Sequence, residues 1–247
     1  MHLGTPIAKG NTAEVYLCNN KIIKVFNDYL PDTESIKEAN KQKYAYSCGL
    51  PVPKVLDVTI IAGKQAIIME YAKGETLADL YLKDKNKAVF YLTISVEVQQ
   101  EIHNIIPIEI ESMHDKLSRQ IQAVNSLDKR LKSHLIRKLE SMTFENRLCH
   151  GDFHLYNLIK TENQVVVIDW VDASSGDIRA DVYRTYLIYS QYSIELAELH
   201  LKIYCDKSGL VREEIFQWAP IIAAARLSEH VTSDHSERLM EIINKLC

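Results

Sequence analysis

The sequence predicts an α+β fold: a small antiparallel sheet with one helix, then a larger, mostly helical region that carries a hairpin. Three observations predict it. Residues 13–26 (AEVYLCNNKIIKVF) read as two strands joined at Asn19-Asn20, a pair suited to a tight turn. Residues 75–143 read as amphipathic helix almost throughout. Residues 148–171 (LCHGDFHLYNLIKTENQVVVIDWV) return to a strand–turn–strand pattern.

In chain order, Ile7 to Thr12 is a loop, Ala13 to Cys18 a strand with Val15 and Leu17 alternating, and Lys21 to Phe26 the next strand. Thr33 to Cys48 is a helix, entered through Asp32, Thr33 and Ser35 and stopped by Gly49 and Pro51. Lys54 to Ile61 and Gln65 to Tyr71 form a hairpin about Ala62-Gly63-Lys64. Gly74 marks a boundary before a helix expected from Glu75 onward. Further helices are expected over 88–105, 112–124 and 127–142. His103 faces the core. After the hairpin of 148–171, residues 171–181 read as a connecting loop and 181–247 as helices.

A chain of 247 residues, 47% hydrophobic and 25% charged, can bury one large core or two small ones. Its net charge of −4 comes from mixed acids and bases, so no basic stripe points to nucleic acid. No apolar run approaches the ~18 residues of a membrane span, and the N-terminus has no apolar signal core. Five cysteines without CxxC spacing read as reduced thiols of a cytoplasmic protein. Cys149 reads as a buried small residue.

The chemistry concentrates in 148–171. A hairpin brings its ends together, so Asn157 and Asp169 lie side by side, with Asp152 one loop away. Two oxygen donors that close suit a hard cation such as Mg²⁺, and the third acid is free to receive a proton. A rival reading takes His150, Asp152 and His154 as ligands of a metallohydrolase, since imidazole with carboxylate suits Zn²⁺. That reading needs further His or Cys ligands, and the remaining histidines are scattered. Lys24, inside an apolar strand, either snorkels at an edge or grips a phosphate. Glu38 is either a helix-start charge, in a capping box with Ser35, or a partner for that lysine.

HGDFHLYN followed by VIDW resembles the catalytic loop and metal-binding strand of aminoglycoside phosphotransferases and choline/ethanolamine kinases, relatives of protein kinases. Gly151 stands where protein kinases have Arg, and Asp169-Trp170 where they have Asp-Phe-Gly. AKGNTAEVY resembles the kinase glycine-rich loop with only its middle glycine, Gly10, kept, and Ala8 and Ala13 in the outer positions. Gly49-Leu50-Pro51-Val52-Pro53 resembles the family's G-x-P-V-P.

The resemblance implies a protein-kinase-like bilobal fold: an N-lobe over 1–71, a hinge over 72–74 and a C-lobe over 75–247. It implies a small-molecule phosphotransferase that uses ATP or GTP with Mg²⁺ and moves the γ-phosphate to a substrate hydroxyl. Asp152 would be the base and Asn157 and Asp169 the metal ligands. Lys24, held by Glu38, would grip the α/β-phosphates under Gly10, and the backbone of Glu70, Tyr71 and Ala72 would meet the adenine. Asp181 would accept backbone N–H bonds of the catalytic loop, and Asp172 would face the acceptor. Candidate acceptors are an aminoglycoside, choline or ethanolamine, a sugar or a nucleoside. A protein acceptor is disfavoured, because no Ala-Pro-Glu segment follows the metal-binding strand. A catalytically inactive kinase-like binding module is a further alternative, opposed by the filled polar positions.

Overall fold

The computed structural model describes residues 3–229 and 236–246. Cys247, the last of the five cysteines, lies outside the described residues. The chain divides into two compact units, Met1–Lys83 with Leu155–Asp172, and Asp84–His154 with Ala173–Cys247.

The first unit is built on a five-stranded antiparallel sheet in the order β1-β2-β3-β5-β4. Its strands are β1 (Ala8–Lys9), β2 (Ala13–Cys18), β3 (Lys21–Phe26), β4 (Val55–Ile61) and β5 (Lys64–Glu70). The short β1 falls inside the expected loop and pairs with Glu14 and Val15. Both hairpin turns use left-handed backbone: Asn19 and Asn20 have φ of 49° and 58°, and Ala62 and Gly63 have φ of 50° and 85°. Two successive positive φ values give the turn whose twist matches the flanking strands.

Alternation sorts the side chains of β3 by face. Ile23 and Val25 pack with Ala66 on one side. Ile22 and Phe26 pack with Ile67, Met69 and Ala39 on the other. Lys24 belongs to this second register, the face covered by helix α1 (Glu34–Ser47). Gly49, at φ 81°, ends the run after α1 in the left-handed region. Gln42 of α1 donates to the Pro53 carbonyl at 2.7 Å, which ties the helix to the loop leading into β4.

A second sheet of this unit, in the order β6-β8-β9, holds the hairpin. Its strands are β6 (Glu75–Thr76), β8 (Leu158–Lys160) and β9 (Val165–Val167). Here the structure corrects the sequence reading. Glu75 does not open a helix but pairs with Lys160, and helix α2 runs over Leu77–Lys83. Gly74 explains the approach: a Cβ there would stand 2.2 Å from the Lys160 carbonyl oxygen, so only glycine lets the strands meet.

The second unit is helical. Its helices are α3 (Ala88–His103), α4 (Met113–Ala123), α5 (Lys129–Ser141), α6 (Ile178–Ser190), α7 (Ile194–Ser208), α8 (Arg212–Phe216), α9 (Ala219–Leu227) and α10 (Ser236–Leu246). Side chains cap four of them: Ser112 before α4, Asp128 before α5, Asp177 before α6 and Ser193 before α7. A two-stranded ribbon of β7 (Arg147–Cys149) and β10 (Ser174–Gly176) crosses this unit. β10 replaces part of the loop expected over 171–181. Its Ser-Ser-Gly sequence has no strand signature, and its pairing with Leu148 supplies one.

Candidate active site

Lys24 is the polar centre of the first unit. Its Nζ donates to Oε1 of Glu38 at 2.6 Å and to Oδ1 of Asp169 at 3.0 Å. Its Nζ also lies 5.7 Å from the centre of the Phe26 ring. Burial pushes the ammonium's pKa down, but the charges of Asp169 and Glu38 outweigh it and hold the pKa above the ordinary lysine value. Lys24 is therefore an ammonium at any physiological pH. Glu38 is only 2% exposed, and burial pushes its pKa up against the opposing charge of Lys24. Its second oxygen, Oε2, has no hydrogen-bond partner among the described residues. The capping-box reading of Ser35 and Glu38 fails: the Ser35 N–H donates to Gln65, and the glutamate points at the sheet.

The hairpin brings Asn157 and Asp169 to one end, with Asn157 opposite Ile168 and Asp169 the next residue along. Leu158 pairs with Val167, and the Ile168 N–H donates to the Asn157 carbonyl at 3.0 Å. Asp169 follows at φ 64°, a conformation that costs most residues energy and that Asp tolerates better than most. Strain of this kind concentrates at functional positions. Asn157 is 7% exposed, whereas the Asp169 side chain is 37% exposed. A carboxylate and a carboxamide at the end of one hairpin would offer hard oxygen donors, whose chemistry suits Mg²⁺ better than a soft metal.

The other nucleotide candidates fall in different places. Glu70, Tyr71 and Ala72 line a cavity of about 1010 Å³ together with Leu50–Pro53 and Lys160–Gln164, whereas Gly10, Lys24 and Glu38 do not line it. The Glu70 N–H is already spent on the Lys54 carbonyl at 3.0 Å. Gly10 is exposed, and its N–H donates to Ala13 at 2.9 Å, closing the tip of the loop. Asp172 ends a 3₁₀ turn over Trp170–Asp172 and is half-buried.

Asp152 lies in the second unit, between two basic side chains. His154 Nε2 is 3.3 Å from its Oδ2, and an Arg184 nitrogen is 3.7 Å from its Oδ1. Burial alone would raise its pKa. The hydrogen bond from His154 and the charges of His154, Arg184 and His150 outweigh burial and hold the carboxyl well below the usual carboxylate range. Asp152 is thus ionised and able to accept.

Beneath the loop, Asp181 accepts the Gly151 N–H at 2.7 Å through Oδ1, as the resemblance implies. Its Oδ2 faces His103 Nε2 at 2.9 Å and Gln99 at 3.2 Å, and His103 Nδ1 meets the Tyr204 hydroxyl at 2.6 Å. Burial raises the Asp181 pKa, but the His103 bond and charge and the Gly151 N–H bring it down to about 2. His103 is 5% exposed and core-facing, as expected.

Among the described residues, one group of three His, Cys, Asp or Glu donors is close enough to hold a metal: His103, Cys149 and Asp181. Both imidazole nitrogens and both carboxylate oxygens there are already hydrogen-bonded. Burial holds the Cys149 thiol protonated. The group is a satisfied buried network. His150, Asp152 and His154 do not assemble into such a group. His150 is fully buried, and its Nδ1 accepts the Asp152 N–H at 3.3 Å, so the hydrolase ligand set expected as an alternative is not formed.

A family of phosphotransferase enzymes, APH, matches residues 4–216. The chain belongs to this family. Among curated relatives, the chain is similar to acyl-CoA dehydrogenase family member 11 of Homo sapiens, at 26% identity over 185 residues, which is 65% of the chain but 24% of that protein. The Rattus norvegicus protein of the same name is 26% identical over 227 residues, covering 73% of the chain and 28% of its own length. The chain therefore spans about a quarter of these relatives. Among solved structures, a thermostable mutant of aminoglycoside phosphotransferase APH(4)-Ia superposes with a TM-score of 0.72 at 15% identity, covering 98% of this chain and 92% of that one. A choline/ethanolamine kinase family protein from Mesorhizobium loti reaches 0.66 at 12% identity, covering 99% and 87%. These likenesses establish the protein-kinase-like α+β fold. No described helix is long and apolar enough to cross a membrane.

Sequence reasoning missed Arg184 and Glu229, which meet at 2.7 Å beside Asp152. Arg184 sits in a buried stretch of α6 with no motif around it, and Glu229 lies 45 positions later. No local pattern could have paired them.

Proposed function

We propose that this chain is a small-molecule kinase that moves the γ-phosphate of ATP or GTP to a substrate hydroxyl. The observation that carries the reading is Lys24 held between Glu38 and Asp169, 14 and 145 positions away in the chain. A buried lysine between two acids serves stability poorly, since removing charges from water costs several kcal/mol per ion. It serves phosphate binding well, because an ammonium already aimed by two carboxylates meets an incoming polyphosphate without reorganising.

Each residue then has a role. Lys24 neutralises the α/β-phosphates, and Glu38 keeps it extended. Asn157 and Asp169 would hold Mg²⁺, which when bound neutralises charge on the transferring phosphate. Asp152, kept ionised by its basic neighbours, orients the acceptor hydroxyl and takes its proton late, once the oxygen has become acidic by bonding to phosphorus. Gly10 and the backbone of Tyr71 and Ala72 contact the nucleotide, and Asp172 faces the acceptor. Residues 72–74, between β5 and β6 of the first unit, would serve as the hinge. The solved mutant APH(4)-Ia with ADP and hygromycin B, and the amicoumacin kinase with AMP-PNP, support a nucleotide and a small molecule as the two substrates. Cys18, Cys48, Cys149 and Cys205 are free thiols, which suits the cytoplasm as the working compartment.

The decisive experiment is a coupled ADP- and GDP-release screen against hydroxyl-bearing metabolites, aminoglycosides, choline and ethanolamine. Acceptor-dependent release that requires Mg²⁺ is the expected result. Mg²⁺-nucleotide binding with no turnover of any acceptor would favour the inactive binding module instead.

A further inference from the structure

Helix α6 grips Gly151, the residue before Asp152, at both its N–H and its carbonyl. Asp181 and Arg184 are three residues apart and so lie on one face of the helix. Asp181 takes the Gly151 N–H at 2.7 Å, and Arg184 Nε donates to the Gly151 carbonyl at 3.2 Å. Gly151 is at φ 82°, so this residue makes the sharp bend that sets the direction of the next side chain. The same guanidinium turns a second nitrogen toward Asp152 Oδ1, at 3.7 Å. Glu229 takes that nitrogen at 2.7 Å and is itself held by Arg226 and Gln120. The Arg184 side chain is 7% exposed.

We infer that Arg184 is a positioning residue for Asp152: its planar fork holds the Gly151 carbonyl and faces the carboxylate, braced by Glu229. The inference rests on the reading of Asp152 as the base. A guanidinium suits the task because its donors are fixed in one plane, so one side chain spans a carbonyl and two carboxylates. A lysine, with one rotating ammonium, can supply the charge but not the geometry. Holding a base in its productive orientation is worth orders of magnitude in rate, even when the holding residue never meets substrate.

Two measurements test it on the full chain. Amide hydrogen exchange of the 148–157 segment in Arg184→Ala is expected to quicken about tenfold or more at Gly151, with exchange in α3 and α7 unchanged. Arg184→Lys, which keeps the charge and is the gentler change, should quicken it by a smaller factor. Unchanged Gly151 exchange in both variants would overturn the clamp. Acceleration spread evenly over the whole chain in both would also overturn it, since Arg184 would then be ordinary packing. For MgATP hydrolysis, with water as the acceptor, Arg184→Ala should lower kcat and leave the nucleotide KM within about threefold. Millimolar guanidinium chloride should restore part of that loss where sodium chloride does not, and the loss should vanish in an Asp152→Asn background. A loss that adds in full to Asp152→Asn would overturn the positioning role. A fully active Asp152→Asn would instead remove the base, and the exchange result would stand by itself.

Discussion

The ammonium of Lys24 sits 3.0 Å from the carboxylate of Asp169, a residue 145 positions later and at the end of a different sheet. The first acid–base pair of the site is thus made inside one compact unit, by β3 and the β8–β9 hairpin.

Lys24→Met leaves Glu38 buried and without its counter-ion. Breaking a buried pair from one side costs about 3–5 kcal/mol. The variant should lose stability of that order in urea denaturation, and adding Glu38→Leu should recover most of it. A single variant as stable as the parent would show that the pair is solvated and not built in.

Asp169→Ala removes the exposed oxygen donor of the hairpin and frees Lys24 on one side. Mg²⁺-dependent affinity for ATP, measured by calorimetry, should fall about tenfold or more, which is about 1.4 kcal/mol, because a hard cation loses a charged oxygen ligand. Asn157→Ala should act in the same direction. An affinity unmoved in both variants would place the metal elsewhere.

Asp152→Asn keeps the shape and removes the acceptor of the proton. Turnover should fall about 10²-fold or more, the range a positioned base supplies, with nucleotide affinity nearly unchanged. Full turnover would remove the proposed role.

Acid should weaken the second unit over two successive pH ranges. Burial, with the charge of His103 against that of Asp181, lowers the pKa of His200 from 6.5 to about 3, and its Nε2 lies 3.2 Å from Gln99 Oε1. The unfolded chain binds this proton first, so stability is complete above pH 6.5 and falls by about 1.4 kcal/mol per pH unit as pH drops toward 3. Asp181, lowered from 3.8 to about 2, adds stability present above 3.8 and lost as pH falls through 2. That second contribution is about 2 kcal/mol. His200→Gln should flatten the slope between pH 6 and 4 in a denaturant series. An unchanged slope would assign the acid lability to other groups.

Some features needed only neighbouring residues. The left-handed turns at Asn19-Asn20 and Ala62-Gly63, the alternation that puts Lys24 in the register of Ile22 and Phe26, and the Asp177 cap of α6 are each encoded within a few positions. Physical chemistry acts there over one or two turns of chain, so the sequence alone determined them, together with the HGD loop and its partner acids. Those same motifs carry the resemblance to the family whose model matches residues 4–216.

Tertiary structure decided the rest. Whether Glu38 caps its own helix or meets Lys24 depended on how α1 lies on the sheet. Glu75 and Ser174–Gly176 became strands because Lys160 and Leu148 came to pair with them, against their own propensities. Arg184 became the brace of Asp152 only when α6 packed under the loop and Glu229 arrived 45 residues later to hold it. Such contacts release their free energy only after long loops close, and no short window of sequence records which loops those are.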